Sequence, residues 1–303
     1  METDVIYKLP EKPEKPADSD CCGNGCVPCV FDLYESDVKI WEKECLRIKQ
    51  GKQTEIFNQG PILCTDEYRQ FELISIVADD VQDVFIYRFQ IPNYQCLGLK
   101  LGQHVIIRCY DGVHPVIRQY SPISDINQSG FFDLLIKIYS NGRLSQLIKQ
   151  WKIGTKVDVR GPFNEFQYKQ NLYDQLYIVC MGTGIAPMVP LITSILDNEN
   201  DEVILKLIFG CSSYSNILLK KQLNEWSQFW NFTVVYSLSN EDGVGCHYGK
   251  KIYLHRISQD LLQTELDLNK KYKILVCGSN SFTSDILNYL NKLKVSDTNI
   301  HKF

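Results

Sequence analysis

The sequence has no surplus of positive charge: 32 Lys and Arg stand against 36 Asp and Glu, a net charge of −4. A partner bound through nucleic-acid phosphates draws on such a surplus, so that class is set aside. Wholesale disorder is excluded by 44% hydrophobic against 22% charged residues. The acidic, polar start METDVIYKLP has neither the pattern of a secretory leader nor the Met-Gly of a myristoylated chain. The 12 cysteines form no even ladder. They read as thiols or metal ligands in a reducing, cytoplasmic setting rather than as a disulfide framework. One run, residues 175–196, has no charge over 22 positions and is long enough to span a bilayer. It contains Gly182, Gly184, Pro187 and Pro190, so it reads as a strand, a turn and a helix. A soluble protein with no transmembrane anchor is expected.

What is present suggests two domains and an appendage, since the chain has 303 residues and domains run to about 150. Residues 1–20 are rich in Lys, Glu and Pro and read as a flexible lead-in. Residues 21–65 hold the cluster CCGNGCVPC and a helical run at 33–50, with Val38, Trp41, Cys45 and Ile48 on one face. From 66 to 167, six short strands are punctuated by Gly, Asp and Pro, with one helix near Gly142. This predicts an antiparallel barrel. From 168 to 303, strands alternate with helices, NILLKKQLNEWSQFW (216–230) reading as one of them. That predicts a Rossmann-like parallel sheet. The expected fold class is therefore β plus α/β, with a small Cys-rich N-terminal extension.

Four elements carry chemistry. RQYSPIS (118–124) lies on a barrel strand. Its Arg118 fork suits a pyrophosphate, Tyr120 shares the same face and can pack on a flat ring, and Ser121 can bond a ring nitrogen. Lys137 and Tyr139 precede Gly142-Arg143-Leu144-Ser145, which opens a helix whose unpaired N–H groups favour an anion. Residues 181–188, MGTGIAPM, join a strand to a helix. Glycines there allow close approach, yet Pro187 stands where a dinucleotide fingerprint has its third glycine. Cys277-Gly278 ends the last predicted strand, where ligands of parallel sheets bind. Each element alone also fits an ordinary turn; their joint order is the signal.

That order resembles the NADH–cytochrome b5 reductase family of the ferredoxin–NADP reductase superfamily over residues 71–303. The matching pieces are GQHV, RQYSPIS, LIKIY, GRLS, RGPF, GTGIAPM, NILL, CG and the terminal Phe303. The resemblance implies an FAD-binding barrel and an NAD(P)H-binding α/β domain. FAD would touch Arg118, Tyr120, Ser121, Pro122, Lys137, Tyr139, Gly142, Arg143, Leu144 and Ser145. Gly182, Thr183, Gly184, Pro187, Asn216, Cys277, Gly278 and Phe303 would line the nucleotide cleft, with Ser121, Thr183 and Cys277 nearest the reaction. It implies hydride transfer from NADH to the flavin, then single electrons to cytochrome b5 or a similar haem protein. Two departures stand out. Cys277-Gly278 is followed by Ser279-Asn280 rather than by the family's Pro. Asn216 also occupies the place where NADH-using members carry an acid that binds the ribose hydroxyls and repels a 2′-phosphate. NADH is expected, with NADPH left open. A non-catalytic adaptor on this scaffold is the rival class.

The N-terminal segment resembles a short oxidoreductase-like element. Cys21, Cys22, Cys26 and Cys29 leave three readings open: free thiols on a docking element, a zinc site, or an iron–sulfur cluster serving a different acceptor. His104 reads as a barrel histidine with hydrogen-bond partners. His114, His247, His255 and His301 read as surface, and Asp79, Asp80 and Asp83 as a solvated turn.

Overall fold

The computed structural model describes residues 9–17, 29–50, 61–112, 114–164, 166–241 and 249–303. Six strands form the first sheet: β1 (Arg69–Ala78), β2 (Val84–Gln90), β3 (His104–Asp111), β4 (His114–Tyr120), β5 (Phe131–Lys137) and β6 (Lys156–Phe163). They pair antiparallel in the order β4-β3-β6-β1-β2-β5. Just past β4, Pro122 bridges Leu134 and the Ile123 N–H donates to the Asp133 carbonyl (2.9 Å), which closes the ring. Inward residues fill it: Phe89 stacks on Phe132 at 5.2 Å and Phe71 meets Phe132 edge-on at 5.3 Å. A short helix, α2 (Arg143–Ile148), adds Leu144 and Ile148 to this core.

The second sheet is parallel throughout, in the order β10-β9-β8-β7-β11-β12. In chain order its elements are β7 (Gln175–Met181), α3 (Met188–Leu196), β8 (Ile204–Cys211), α4 (Lys220–Trp226), β9 (Phe232–Leu238), β10 (Lys251–Tyr253), α5 (Gln259–Glu265), β11 (Tyr272–Cys277), α6 (Asn280–Lys292) and β12 (Ile300–Lys302). Helix α1 (Val30–Lys49) precedes both sheets. Central strands such as LYIVC are apolar at every position because helices cover both faces. Strand order reverses at β7, which has β8 on one side and β11 on the other. Ligands of open α/β sheets bind at such a switch point.

The single helix expected at 216–230 does not form. Tyr214–Asn216 is a 3-10 turn, Leu219 is left-handed (φ 52°), and α4 covers only 220–226. Ile217, Leu218 and Leu219 are all buried, and three successive core-facing residues do not fit a period of 3.6. The 250–262 region splits into β10 and α5, and the C-terminal strand β12 was not foreseen.

The two sheets share one core. Val81, Val84 and Leu135 of the barrel pack with Ile185, Met188, Leu218 and Leu219 of the α/β unit. Burial of each such side chain contributes roughly 1.5–3 kcal/mol. Asp79 is not merely a solvated turn residue: Oδ1 accepts the Val81 N–H (3.0 Å) and Oδ2 accepts the Leu219 N–H (3.3 Å) across the junction. At its far end, Phe303 sits over Gly102, where a Cβ would come within 2.8 Å of the Phe303 ring. His301 and Phe166 join that cluster. His301, expected at the surface, has its Nε2 shut in without a partner among the described residues, as does His104. Both imidazoles are pushed down to about 4 by burial.

Helix α1 docks in an unexpected way. Of the stripe Val38, Trp41, Cys45 and Ile48, only Cys45 is buried; Asp37 and Ile40 are the other buried positions of the helix. Ile40 meets Tyr68 and Ile106, while the strongest fastenings are ionic. Fully buried Arg160 donates to Asp37 Oδ1 (2.8 Å), the Thr65 carbonyl (2.9 Å) and Ser36 Oγ (3.3 Å). Arg108 grips both oxygens of Glu44 (2.8 and 2.9 Å) and also Asp158 (2.8 Å). Residues 9–17 are not a free lead-in. The Trp41 indole donates to the Pro10 carbonyl (2.7 Å), and Glu11 pairs with His114 (2.7 Å).

Two outcomes are expected. Asp37→Ala strands Arg160 without its counter-charge and should cost about 3 kcal/mol in urea unfolding; a loss under about 1 kcal/mol would contradict the pairing. For both histidines the folded value lies below the ordinary 6.5, so the unfolded chain binds more protons between pH 6.5 and about 4. Stability should therefore fall as pH drops through that window. His301→Gln should flatten the fall in a pH series of thermal melts.

Candidate active site

On the barrel side, β4 presents Arg118 to solvent with its guanidinium bonded only to the neighbouring Ile117 carbonyl (2.7 Å). Tyr120, half-buried, lies near enough to Arg118 and Tyr139 for each to act on its phenol, which burial raises. Lys137 ends β5 with its ammonium 5.8 Å from the Tyr139 ring, and that ring is 56% exposed. Neither Arg118 nor Lys137 has a carboxylate partner among the described residues. The turn after β5 is tight: a Cβ on Gly142 would stand 2.9 Å from Ser145 Oγ and 3.3 Å from Tyr139 Cβ. Ser145 Oγ accepts the Tyr139 N–H (3.0 Å), so this hydroxyl first braces the turn. Leu144 points into the barrel core, leaving its backbone for any ligand contact. Arg143 is paired with Asp111 (3.1 Å) on the β3–β4 hairpin. Ser121 and buried Pro122 continue the strand toward β5.

On the sheet side, Gly182–Ile185 makes a 3-10 turn at the carboxyl end of β7, against β5 of the barrel. Gly182 takes φ 51°, and half-buried Thr183 sits beside it. Gly184 approaches β11 so closely that a Cβ would lie 2.5 Å from the Cys277 carbonyl oxygen and 3.1 Å from Gly278 N. Pro187 is buried and, with Pro122 of the barrel, lines one crevice. Lys137 from the barrel and Lys220 from α4 both act on the Cys211 thiol at the end of β8. The barrel strand that ends in Lys137 thus packs directly against the turn at the sheet's switch point.

Burial pushes the Cys277 thiol up to about 12, so it is a neutral thiol at physiological pH. Its contribution comes through packing and a weak S–H rather than through a thiolate. Ser279, in place of the family's Pro, caps α6 by accepting the Phe282 N–H (3.3 Å). The Phe282 ring then covers Gly278, where a Cβ would be 2.4 Å from it. Asn216 lies at the end of the 3-10 turn after β8, its amide donating to Ser213 Oγ (2.6 Å). Phe303 stands at the junction described above. Cys29 is the N-cap of α1, while Cys21, Cys22 and Cys26 lie outside the described residues. Among the described residues no group of His, Cys, Asp or Glu has the arrangement of a metal site.

These features suit FAD and a nicotinamide dinucleotide: cations with no carboxylate partner among the described residues, an exposed aromatic ring beside them, and a turn in which Gly184 has no room for a side chain. Comparison with known proteins agrees. Residues 74–168 match the oxidoreductase FAD-binding domain family, 178–287 the oxidoreductase NAD-binding domain family, and 7–50 the N-terminal family of oxidoreductase-like proteins. A human NADH-cytochrome b5 reductase-like protein is 38% identical over 285 residues, spanning 91% of this chain and 89% of that one. NADH-cytochrome b5 reductase 1 of Dictyostelium discoideum is 32% identical over 91% of this chain and 93% of its own. The chain belongs to the NADH–cytochrome b5 reductase family.

It is an FAD- and NAD-binding oxidoreductase of that family. The cytochrome b5 reductase domain of Ulva prolifera nitrate reductase shares its fold, with a TM-score of 0.72 at 22% identity over 80% of this chain and all of that one. So does a ferredoxin NADP+ reductase from Neisseria gonorrhoeae, at a TM-score of 0.65 and 15% identity over 78% and 98%. Among the described residues no helix is long and apolar enough to cross a membrane. Sequence reasoning passed over Tyr214, Glu241 and Lys250 beside Asn216. No spacing rule joins them, because only the parallel pairing of β8, β9 and β10 brings these segments together.

Gly184→Ala should lower kcat/KM for NADH by at least about tenfold, since the methyl group meets backbone rather than a movable side chain. Wild-type kinetics would contradict the close approach. Cys277 should resist iodoacetamide near neutral pH in the folded protein, and rapid labelling would mean the thiol is not buried as described.

Proposed function

We propose that this chain is an NADH-dependent reductase of cytochrome b5 or a similar haem protein. The observation that carries the reading is the packing of β5, the strand that ends in Lys137, against the glycine turn of the sheet's switch point. Bound there, FAD would supply a hydride acceptor that can return electrons one at a time. In this reading Arg118 and Arg143 hold the pyrophosphate, with Arg143 leaving Asp111 to do so. Tyr120 and Tyr139 pack along the cofactor, and Ser121 bonds the flavin ring. The turn braced by Gly142 and Ser145 offers backbone N–H groups, while Lys137 keeps positive charge at the mouth. Thr183 orients the nicotinamide, Gly184 lets it approach, and Cys277 with Gly278 forms the floor. Water is excluded from this region by Val84, Leu135 and Ile185 behind it.

The relatives' names support the acceptor class. The purified protein should retain FAD, and with NADH it should reduce ferric cytochrome b5 in anaerobic assays. Arg118→Ala removes a charged hydrogen-bond donor of about 1.5–3 kcal/mol and should weaken FAD retention by tenfold or more. A flavin-loaded protein that oxidises NADH with ferricyanide but never with cytochrome b5 would overturn the acceptor.

A further inference from the structure

A second surface lies under residues 10–16, between α1 and the β3–β4 hairpin. The run PEKPEKP places Pro10, Pro13 and Pro16 three apart. It is neither helical nor paired in a sheet, and its prolines are half-buried while Glu11, Lys12, Glu14 and Lys15 are exposed. A period of three with one edge turned inward is that of a polyproline II segment. Pro10 and Pro13 share a crevice with Trp41 of α1, Tyr110 of β3, and Pro115 and Ile117 of β4. The Trp41 indole donates to the Pro10 carbonyl (2.7 Å), and the Lys12 ammonium stands 5.9 Å from the centre of that ring. Glu11 meets His114 at the start of β4 (2.7 Å). Polyproline II segments make no hydrogen bonds of their own and dock in grooves walled by aromatic side chains.

These contacts hold the strap lightly. The Glu11 and His114 side chains are 49% and 59% exposed, so water and salt weaken their attraction. Lys12 stands at the outer limit of a cation–π contact. A strap held in this way is an occupant that another segment of the same kind can displace. Side chains alternate along β4: Val116 packs inside the barrel, while Ile117 joins Ile40 and Tyr68 outside it. The groove therefore lies on the face of β4 away from Arg118, and filling it leaves the Arg118 face open.

We propose that the groove of Trp41, Tyr110 and Pro115 is a polyproline receptor, closed in cis by residues 10–16 and opened to a proline-rich segment of a partner protein. The segment it fits has prolines three apart, an acid after the first to meet His114, and a base after that to lie over Trp41. A second copy of this chain is a poorer occupant, because its strap makes the same contacts without the high local concentration of the tethered one. A partner with a longer proline run adds contacts that offset that loss. Docked there, it is held to the reductase without covering Arg118.

The test is fluorescence anisotropy of a labelled peptide, LPEKPEKPA, titrated with the full chain. Replacing Pro10 and Pro13 of the protein by Gly loosens the strap and should tighten peptide binding about tenfold or more. Adding Trp41→Ala should abolish that gain, whereas Trp230→Ala, at a 74% exposed tryptophan elsewhere, should not. On the wild-type chain, a peptide with its three prolines changed to Ala should bind at least about tenfold more weakly than the original, which needs no variant to fold. Thermal melts confirm that each variant is folded. Peptide binding that ignores Trp41 or the prolines overturns the receptor. Equal affinity of the wild-type and loosened chains overturns the closure in cis. A loosened chain that dimerises through Trp41 assigns the groove to a second copy and overturns the partner.

Discussion

The structure depends on a seam. Val81 and Val84 from the β1–β2 turn and Leu135 from β5 are built into the same core as Ile185, Met188 and Leu219. Without that shared core, the barrel's Arg118, Lys137 and Tyr139 would have no fixed relation to the glycine turn after β7. Interfaces between domains of one chain are commonly polar and permit relative motion. This one is apolar at its centre, pinned by the Asp79–Leu219 hydrogen bond on one flank and by Phe303 over Gly102 on the other. Redox chemistry between two rings needs them held within contact distance, and the seam provides that constraint before any ligand arrives.

The same economy governs the glycine turn. Gly182 allows a left-handed bend, and Gly184 lets β7's turn touch the β11 backbone at the point where strand order reverses. Charge is distributed to match: among the described residues Arg118 and Lys137 of the barrel have no carboxylate partner. Elsewhere, buried cations are paired, as Arg160 is with Asp37 and Arg108 with Glu44 and Asp158. The contrast separates residues that hold the fold from those available to a ligand.

Much of this was legible in the sequence where the signal is local. Alternation and turn residues mark all six barrel strands, and uninterrupted apolar runs mark the central parallel strands. The order of RQYSPIS, GRLS, GTGIAPM and CG points to the cofactors. What stayed hidden is non-local. Arg160 and Asp37 are 123 residues apart, and nothing in the α1 periodicity says that a polar stripe faces the barrel. His301 looked like a surface residue because its burial comes from Phe166 and Phe303 meeting at the seam. The run at 216–230 looked helical because its composition is; three consecutive buried residues forced an extended segment first. Lys250 meets Tyr214 and Asn224 across a distance in sequence that no local pattern signals.

The central claim is that barrel and sheet hold a flavin and a nicotinamide in contact. Rapid mixing of the FAD-loaded protein with NADH, and with NADH deuterated at the transferred position of C4, tests it most directly. The account predicts prompt bleaching of the flavin that slows with deuterium at that position. A fully FAD-loaded protein whose colour NADH leaves unchanged would contradict it.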